Sequence, residues 1–242
     1  MATERIPRLP RRTRRLHAAV YLLVLVLLFT GWWLVLGREG EPSPLARLTG
    51  VGDTRIHIWV GRALGLVVVA AIVVGWRGVL TFLRESFRID RGDARWWRRW
   101  PAAILTGRFA RHEGDFDPGQ RIANIVIVGC LLVLTATGIA LTFLHGGPTF
   151  AWLAKIHEWT TFILTPVLVG HILVAVGILP GYRGAWRAMH ARRGVREDTA
   201  RRLWPGWTER ALGTRSTEAT SVPPPDEPAD AGTSTRGFRP MR

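Results

Sequence analysis

Seven histidines occur in the 242 residues, and two of them, His157 and His171, share one apolar stretch, residues 152–180, long enough to cross a bilayer as a helix. Fourteen positions separate them (171 − 157). At about 1.5 Å of rise and about 100° of turn per residue, that is about 21 Å along the axis and within about 40° of one face. One helix face thus carries an imidazole near each membrane surface. Side chains that ionise or bind metal are costly inside a span and usually functional. Two in register at opposite depths suggest two stacked metal centres.

The elements that must position them are apolar runs. Spans are expected at about 17–36, 56–80, 121–144 and 152–179, which makes the chain an all-α integral membrane protein with a four-transmembrane-helix bundle. Arginines cluster before the first run, between the second and third, and after the fourth, so both termini are expected on the cytoplasmic side of a bacterial cell membrane. His17 then stands at the inner end of span one and His171 towards the inner end of span four, while His57 and His157 stand at the outer ends of spans two and four. The depths pair His17 with His171 and His57 with His157. Facing neutral imidazoles within a helical bundle suit axial ligation of b-type haem iron, so two b haems are expected. Ring nitrogens not bound to iron need other partners. Each histidine also has a plain alternative as an interfacial residue, His171 least easily because it lies well within lipid depth. Two pairs a membrane's thickness apart do not make a tetrahedral zinc site. His112, His145 and His190 fall in loops and are expected to be solvated.

Composition narrows the chemistry further. The net charge of +15 comes from arginine, with Lys155 the only lysine. Because the arginines flank apolar runs, they read as topology signals and membrane-lipid contacts rather than a nucleic-acid surface. Cys130 is the only cysteine. It excludes a CxxCH haem attachment, an iron–sulfur cluster held by this chain alone, and internal disulfides. The basic start followed by an apolar run could read as a signal peptide, but its length and the lack of a small-residue cleavage site favour a retained span. Residues 37–55 read as an outer loop. Residues 82–119, with Trp96, Trp97 and Trp100 among eight arginines, read as a cytoplasmic loop whose amphipathic part lies on lipid. Arg62, about five residues into span two, either snorkels to the surface or pairs with a haem propionate. Residues 1–205 form the membrane domain, and the polar stretch 206–242 is expected to be a disordered cytoplasmic tail.

The segments RLHAAVYLLVLVLLFTGWW, IHIWVGRALGL, FDPGQRIANIVIVGCLLVLTATGIALT and KIHEWTTFILTPVLVGHILVAV resemble the four helices of the cytochrome b (gamma) subunit of membrane-bound formate dehydrogenase, a family similar to the di-haem cytochrome b subunits of nickel–iron hydrogenases. The resemblance covers about residues 11–205, including GYRGAWRAMHARRGV after span four. It implies a membrane-anchor electron-transfer subunit with iron–sulfur and catalytic subunits as partners. Electrons would pass from the iron–sulfur subunit on the outer face to an outer haem (His57, His157), an inner haem (His17, His171) and menaquinone. That family's quinone pocket lies around an Asn-x-Gly-Gln-Lys stretch, matched here by Asp117-Pro118-Gly119-Gln120-Arg121. The resemblance carries over Gly119 and Gln120, and Asp117 with its Asn replaced. That carboxylate is either a proton relay or a solvated helix cap. Two alternatives stay open: the cytochrome b subunit of a hydrogenase or another quinone-linked oxidoreductase, and a haem-free membrane scaffold or transporter. A transporter would usually show internal repeats or broken helices with intramembrane acidic residues. Glu158, beside His157, is the one acidic residue inside an expected span.

Overall fold

The computed structural model describes residues 4–36 and 41–220. In chain order, a two-residue strand β1 (Arg5–Ile6) leads into α1 (Arg11–Val35). A short α2 (Pro44–Thr49) precedes α3 (Asp53–Ser86), and α4 (Asp93–Thr106) precedes α5 (Pro118–Leu141), which turns into α6 (Gly147–Val176). A 3-10 turn at Pro180–Tyr182, α7 (Arg187–His190), β2 (Val195–Arg196), α8 (Glu197–Leu203) and α9 (Pro205–Thr220) complete the order.

Helices α1, α3, α5 and α6 are long and apolar enough to cross a membrane. Each begins a few residues before the expected apolar run: arginines, good helix formers, extend α1 into its polar flank, and prolines in the first turns of α5 and α6 suit their starts. Their side chains face largely outward: Leu66 is 71% exposed and Val74 89%. Surrounded by lipid, such faces satisfy both the apolar side chains and the internally bonded backbone. α1 packs along α3 and α5 along α6, the two hairpins meet through α3 and α5, and α1 barely touches α6. Gly65 lies at the α3–α5 contact, where a Cβ would meet the Thr135 methyl at 3.4 Å, an ordinary van der Waals distance. At Gly75 the α3 backbone leaves helical geometry (φ −102°, ψ 15°), and the helix kinks.

A folded cap closes the arginine-rich end, called here the basic end. β1 pairs antiparallel with β2, placing the two terminal segments together. Ile6, Tyr182, Ala185, Val195, Ala200, Leu203 and Trp204 form its core. The Arg8 guanidinium carbon lies 3.8 Å from the Trp204 ring centre and 4.7 Å from that of Trp207, and the group donates to the Asp115 carbonyl.

This cap differs from the sequence expectation in three places. α4 does form, but Trp96 (1% exposed) and Ala103 are buried against protein rather than laid on lipid. Gly119 and Gly181 make that approach possible: a Cβ on Gly119 would stand 3.0 Å from Trp96, and one on Gly181 would overlap the Ala103 carbonyl. The expected tail from residue 206 begins instead as helix α9, where Thr208 is fully buried and bonds the Trp204 carbonyl at 2.8 Å. The rest of that tail, 221–242, lies outside the described residues. His112, expected in solvent, is 2% exposed and bonds the Leu203 carbonyl at 2.9 Å.

Arg121 ties α5 to the segment before α4. Its guanidinium meets Asp90 at 2.8 Å and Asp93 at 3.1 Å and donates to the carbonyls of Phe116 and Arg88, each at 3.0 Å. The side chain is 3% exposed, so every donor must be used within the protein. Burial raises Asp90, but hydrogen bonds from Arg88 and Arg121 outweigh it and hold the carboxyl below its ordinary range. Arg121→Met takes away the buried cation that Asp90 and Asp93 share and leaves Asp90 with Arg88 alone. A loss of about 3–5 kcal/mol is expected, read as a lower inactivation temperature in detergent and faster proteolysis within residues 87–117.

Candidate functional site

At the far end, opposite the cap, His57 on α3 and His157 on α6 face each other with ring centres 6.1 Å apart. Each ring is held by the neighbouring helix of its own hairpin. Thr30 Oγ1 on α1 lies 2.8 Å from His57 Nδ1, and Thr137 Oγ1 on α5 lies 2.9 Å from His157 Nδ1. The hydroxyl protons are already committed: Thr30 donates to the Val26 carbonyl at 2.9 Å and Thr137 to that of Val133 at 2.7 Å. A hydroxyl has one proton to give, and with it on the helix carbonyl each imidazole donates from Nδ1. That fixes the tautomer and leaves Nε2 of each ring with a free lone pair.

The adjacent glycines make room for the rings. A Cβ on Gly31 would lie 3.3 Å from His57 Cε1, and one on Gly138 would lie 3.3 Å from His157 Cε1. Around the pair is a cavity of about 660 Å³, lined by residues of all four long helices with leucine the commonest type. That volume is in the range of cofactor pockets. Arg62 and Glu158 border it; Arg62 lies over the Trp59 ring at 5.1 Å, and Glu158 pairs with Lys155 at 3.3 Å.

At the basic end, His17 on α1 and His171 on α6 stand with ring centres 6.5 Å apart. Here the surroundings differ. His17 Nδ1 is buried without a hydrogen-bond partner. The Tyr21 ring is 5.7 Å away and the His190 ring 6.5 Å. Sequence reasoning placed His190 in a solvated loop. It is exposed, as expected, yet the chain reversal after α6 carries it back to the pair, and Arg14 holds the next residue through the Ala191 carbonyl at 2.6 Å. His145 is exposed, as expected.

With a metal–imidazole bond of about 2.0–2.1 Å, two axial imidazoles on one metal have ring centres about 6.3 Å apart. Both pairs have this spacing. At the far end the lone pairs are also freed for a metal by the threonines.

Asp117, Gly119 and Gln120 lie together where α5 starts. Asp117 caps the helix, accepting the Gln120 N–H at 2.9 Å, with Pro118 in the first turn. The cap is buried rather than solvated. Burial pushes the Asp117 carboxyl above its ordinary range, against the Gln120 N–H and the nearby His112 and Arg8, which favour the charged form. Gly119 serves the packing of Trp96. No hydrogen bond or ring contact among the described residues joins this cluster to His17 or His171.

Four apolar helices around two facing histidine pairs define a membrane cytochrome of the b type. The sequence profile of the prokaryotic cytochrome b561 family matches residues 8–191, and the chain belongs to that family. It is a multi-pass membrane protein that binds b-type haem and transfers electrons. No curated protein matches the chain significantly.

Sequence reasoning missed Thr30 and Thr137 as the partners of the far-end rings. The signal was present as two Thr-Gly pairs, each near the same end of a span. Gly31→Val or Gly138→Val drives a side chain into the adjacent imidazole. Either is expected to lower b-haem per polypeptide, whereas Gly78→Ala, which meets nothing, leaves it unchanged; pyridine haemochrome quantification reads the difference. Asp117→Ala removes the α5 cap and is expected to cost about 1 kcal/mol, and Asp117→Asn much less because asparagine caps equally well. Thermal denaturation of the detergent-solubilised protein checks both.

Proposed function

We propose that the chain is the membrane-anchor electron-transfer subunit of an oxidoreductase of the formate dehydrogenase type. It holds two b haems, one between His57 and His157 and one between His17 and His171. The arginine distribution orients the basic end and both termini towards the cytoplasm. An iron–sulfur subunit docked at the outer face, itself served by a catalytic subunit, delivers electrons to the His57/His157 haem. They continue to the His17/His171 haem and then to menaquinone at the cytoplasmic side. Arg62, bordering the outer cavity, suits a haem propionate. Asp117, Gly119 and Gln120 mark the quinone side of α5, with Asp117 as the proton-carrying group; its raised affinity for a proton supports that role. Oxidation outside and quinone reduction inside moves negative charge inward, and each charge is worth about 2.3 kcal/mol per 100 mV of membrane potential.

One observation carries the reading: two histidine pairs at opposite ends of the bundle, each with the spacing of axial ligands on one iron. The purified protein is expected to hold two non-covalent b haems per chain. His57→Ala and His157→Ala are expected to lose the same haem, and His17→Ala and His171→Ala the other. Loss of one shared haem in His17→Ala and His57→Ala would overturn the pairing. Formate-dependent reduction of the haems in native membranes tests the donor, and reduction by hydrogen alone would transfer the subunit to a hydrogenase.

A further inference from the structure

The two histidine pairs are not chemically equivalent. At the far end, each Nδ1 stands 2.8 or 2.9 Å from a threonine hydroxyl, and with that hydroxyl's proton on its own helix carbonyl the ring is the donor. A threonine bonding back to its own helix is common and explains nothing further by itself. What needs explaining is that both hydroxyls, on different helices, turn the remaining lone pair onto an imidazole edge. At the basic end, His17 Nδ1 is buried and has no acceptor. Drawing Nδ1–H towards an oxygen makes the ring a stronger donor at Nε2. A stronger axial donor favours the oxidised metal and lowers its reduction potential.

We propose that Thr30 and Thr137 are positioning residues that set the far-end haem at a lower potential than the basic-end haem. An electron entering at His57/His157 then runs downhill to His17/His171, one centre being oxidised as the other is reduced, with the iron–sulfur partner as donor. The inference rests on the two-haem reading and its direction of transfer, and adds the residues that set the potential step between the two centres. Two threonines act on one iron from opposite sides, so their effects are expected to add.

The test is a spectroelectrochemical titration of the haem-loaded protein, read as two one-electron components. The far-end component is the one missing in His57→Ala. Thr30→Val and Thr137→Val keep the side-chain shape and remove the acceptor. Each is expected to raise the far-end potential and leave the other unchanged. The double variant is expected to change the far-end reduction equilibrium about tenfold, which is 59 mV for a one-electron couple. Thr30→Ser and Thr137→Ser keep the hydroxyl and are expected to restore the wild-type value. The proposal is overturned if the valine variants move neither component, if they move the basic-end one, or if serine shifts the potential as much as valine. Where one valine variant fails to accumulate, the other reads the same centre through the opposite ligand. Fewer than two haems in the unmodified protein defeats the two-haem reading itself, whereas two haems with unmoved potentials defeat only this inference.

Discussion

An imidazole inside hydrocarbon has two nitrogens to place, and only one of them can go to a metal. A buried N–H left without an acceptor costs about 1–3 kcal/mol, and no water is at hand to supply one. At the far end the problem is solved by adjacent residues on a neighbouring helix. Thr30 gives its proton to its own backbone and turns a lone pair to His57, while Gly31, one position on, leaves space for the ring edge. Thr137 and Gly138 treat His157 in the same way. The pair of contacts sets the tautomer, the ring position and the spacing of α1 from α3 and of α5 from α6. A larger residue at either glycine would push helix and ring apart together.

A bundle that leaves room for a flat cofactor cannot close along its whole length. α1 and α6 scarcely touch, so they must be joined elsewhere. Near the far end Trp32 Nε1 donates to Thr165 Oγ1 at 3.1 Å across the gap. At the basic end the work passes to the cap: β1 pairs with β2, Arg14 bonds the Ala191 carbonyl, and Arg8 sits over Trp204 and Trp207. The first and last described segments thus hold the two helices whose histidines form the basic-end pair. The Arg121 network does the same for α5 and the segment before α4. Its charges are buried, yet the guanidinium meets two carboxylates and two carbonyls, so each ion is compensated where it stands.

The four spans and the histidine pairing were legible in the sequence because both follow from length and depth alone. A run of twenty apolar residues announces a span whatever its neighbours do, and a histidine's position along it gives its depth. What could not be read depends on lateral contact. Thr30 and Thr137 look like ordinary span residues until α3 and α6 are placed beside them. His112 and His190 lie in polar stretches that read as loops, and only the folding of the cap buries the first and brings the second to His17. Trp96 reads as an interfacial aromatic, but Gly119, distant in sequence, lets protein cover it, and Gly181 does the same for Ala103. For α9 the low apolar content pointed to disorder, while Thr208 is buried through a local bond to Trp204 and contact with the cap.

The distribution of histidines among the helices carries a last consequence. α6 holds one histidine of each pair, α1 and α3 hold one each, and α5 holds none. α5 is nonetheless the helix that packs along α6 and also meets α3, and it meets the His157 ring through Thr137 and Gly138. A helix without a paired histidine therefore orients the helix that has two. Its own placement is fixed at the opposite end by the Asp117 cap and the Arg121 ion pairs, about 24–30 Å from Thr137 along the axis. The polar contacts at the basic end and the hydroxyl at the far end are thus two ends of one rigid element. Disturbing the first displaces the second without any change to the histidines themselves.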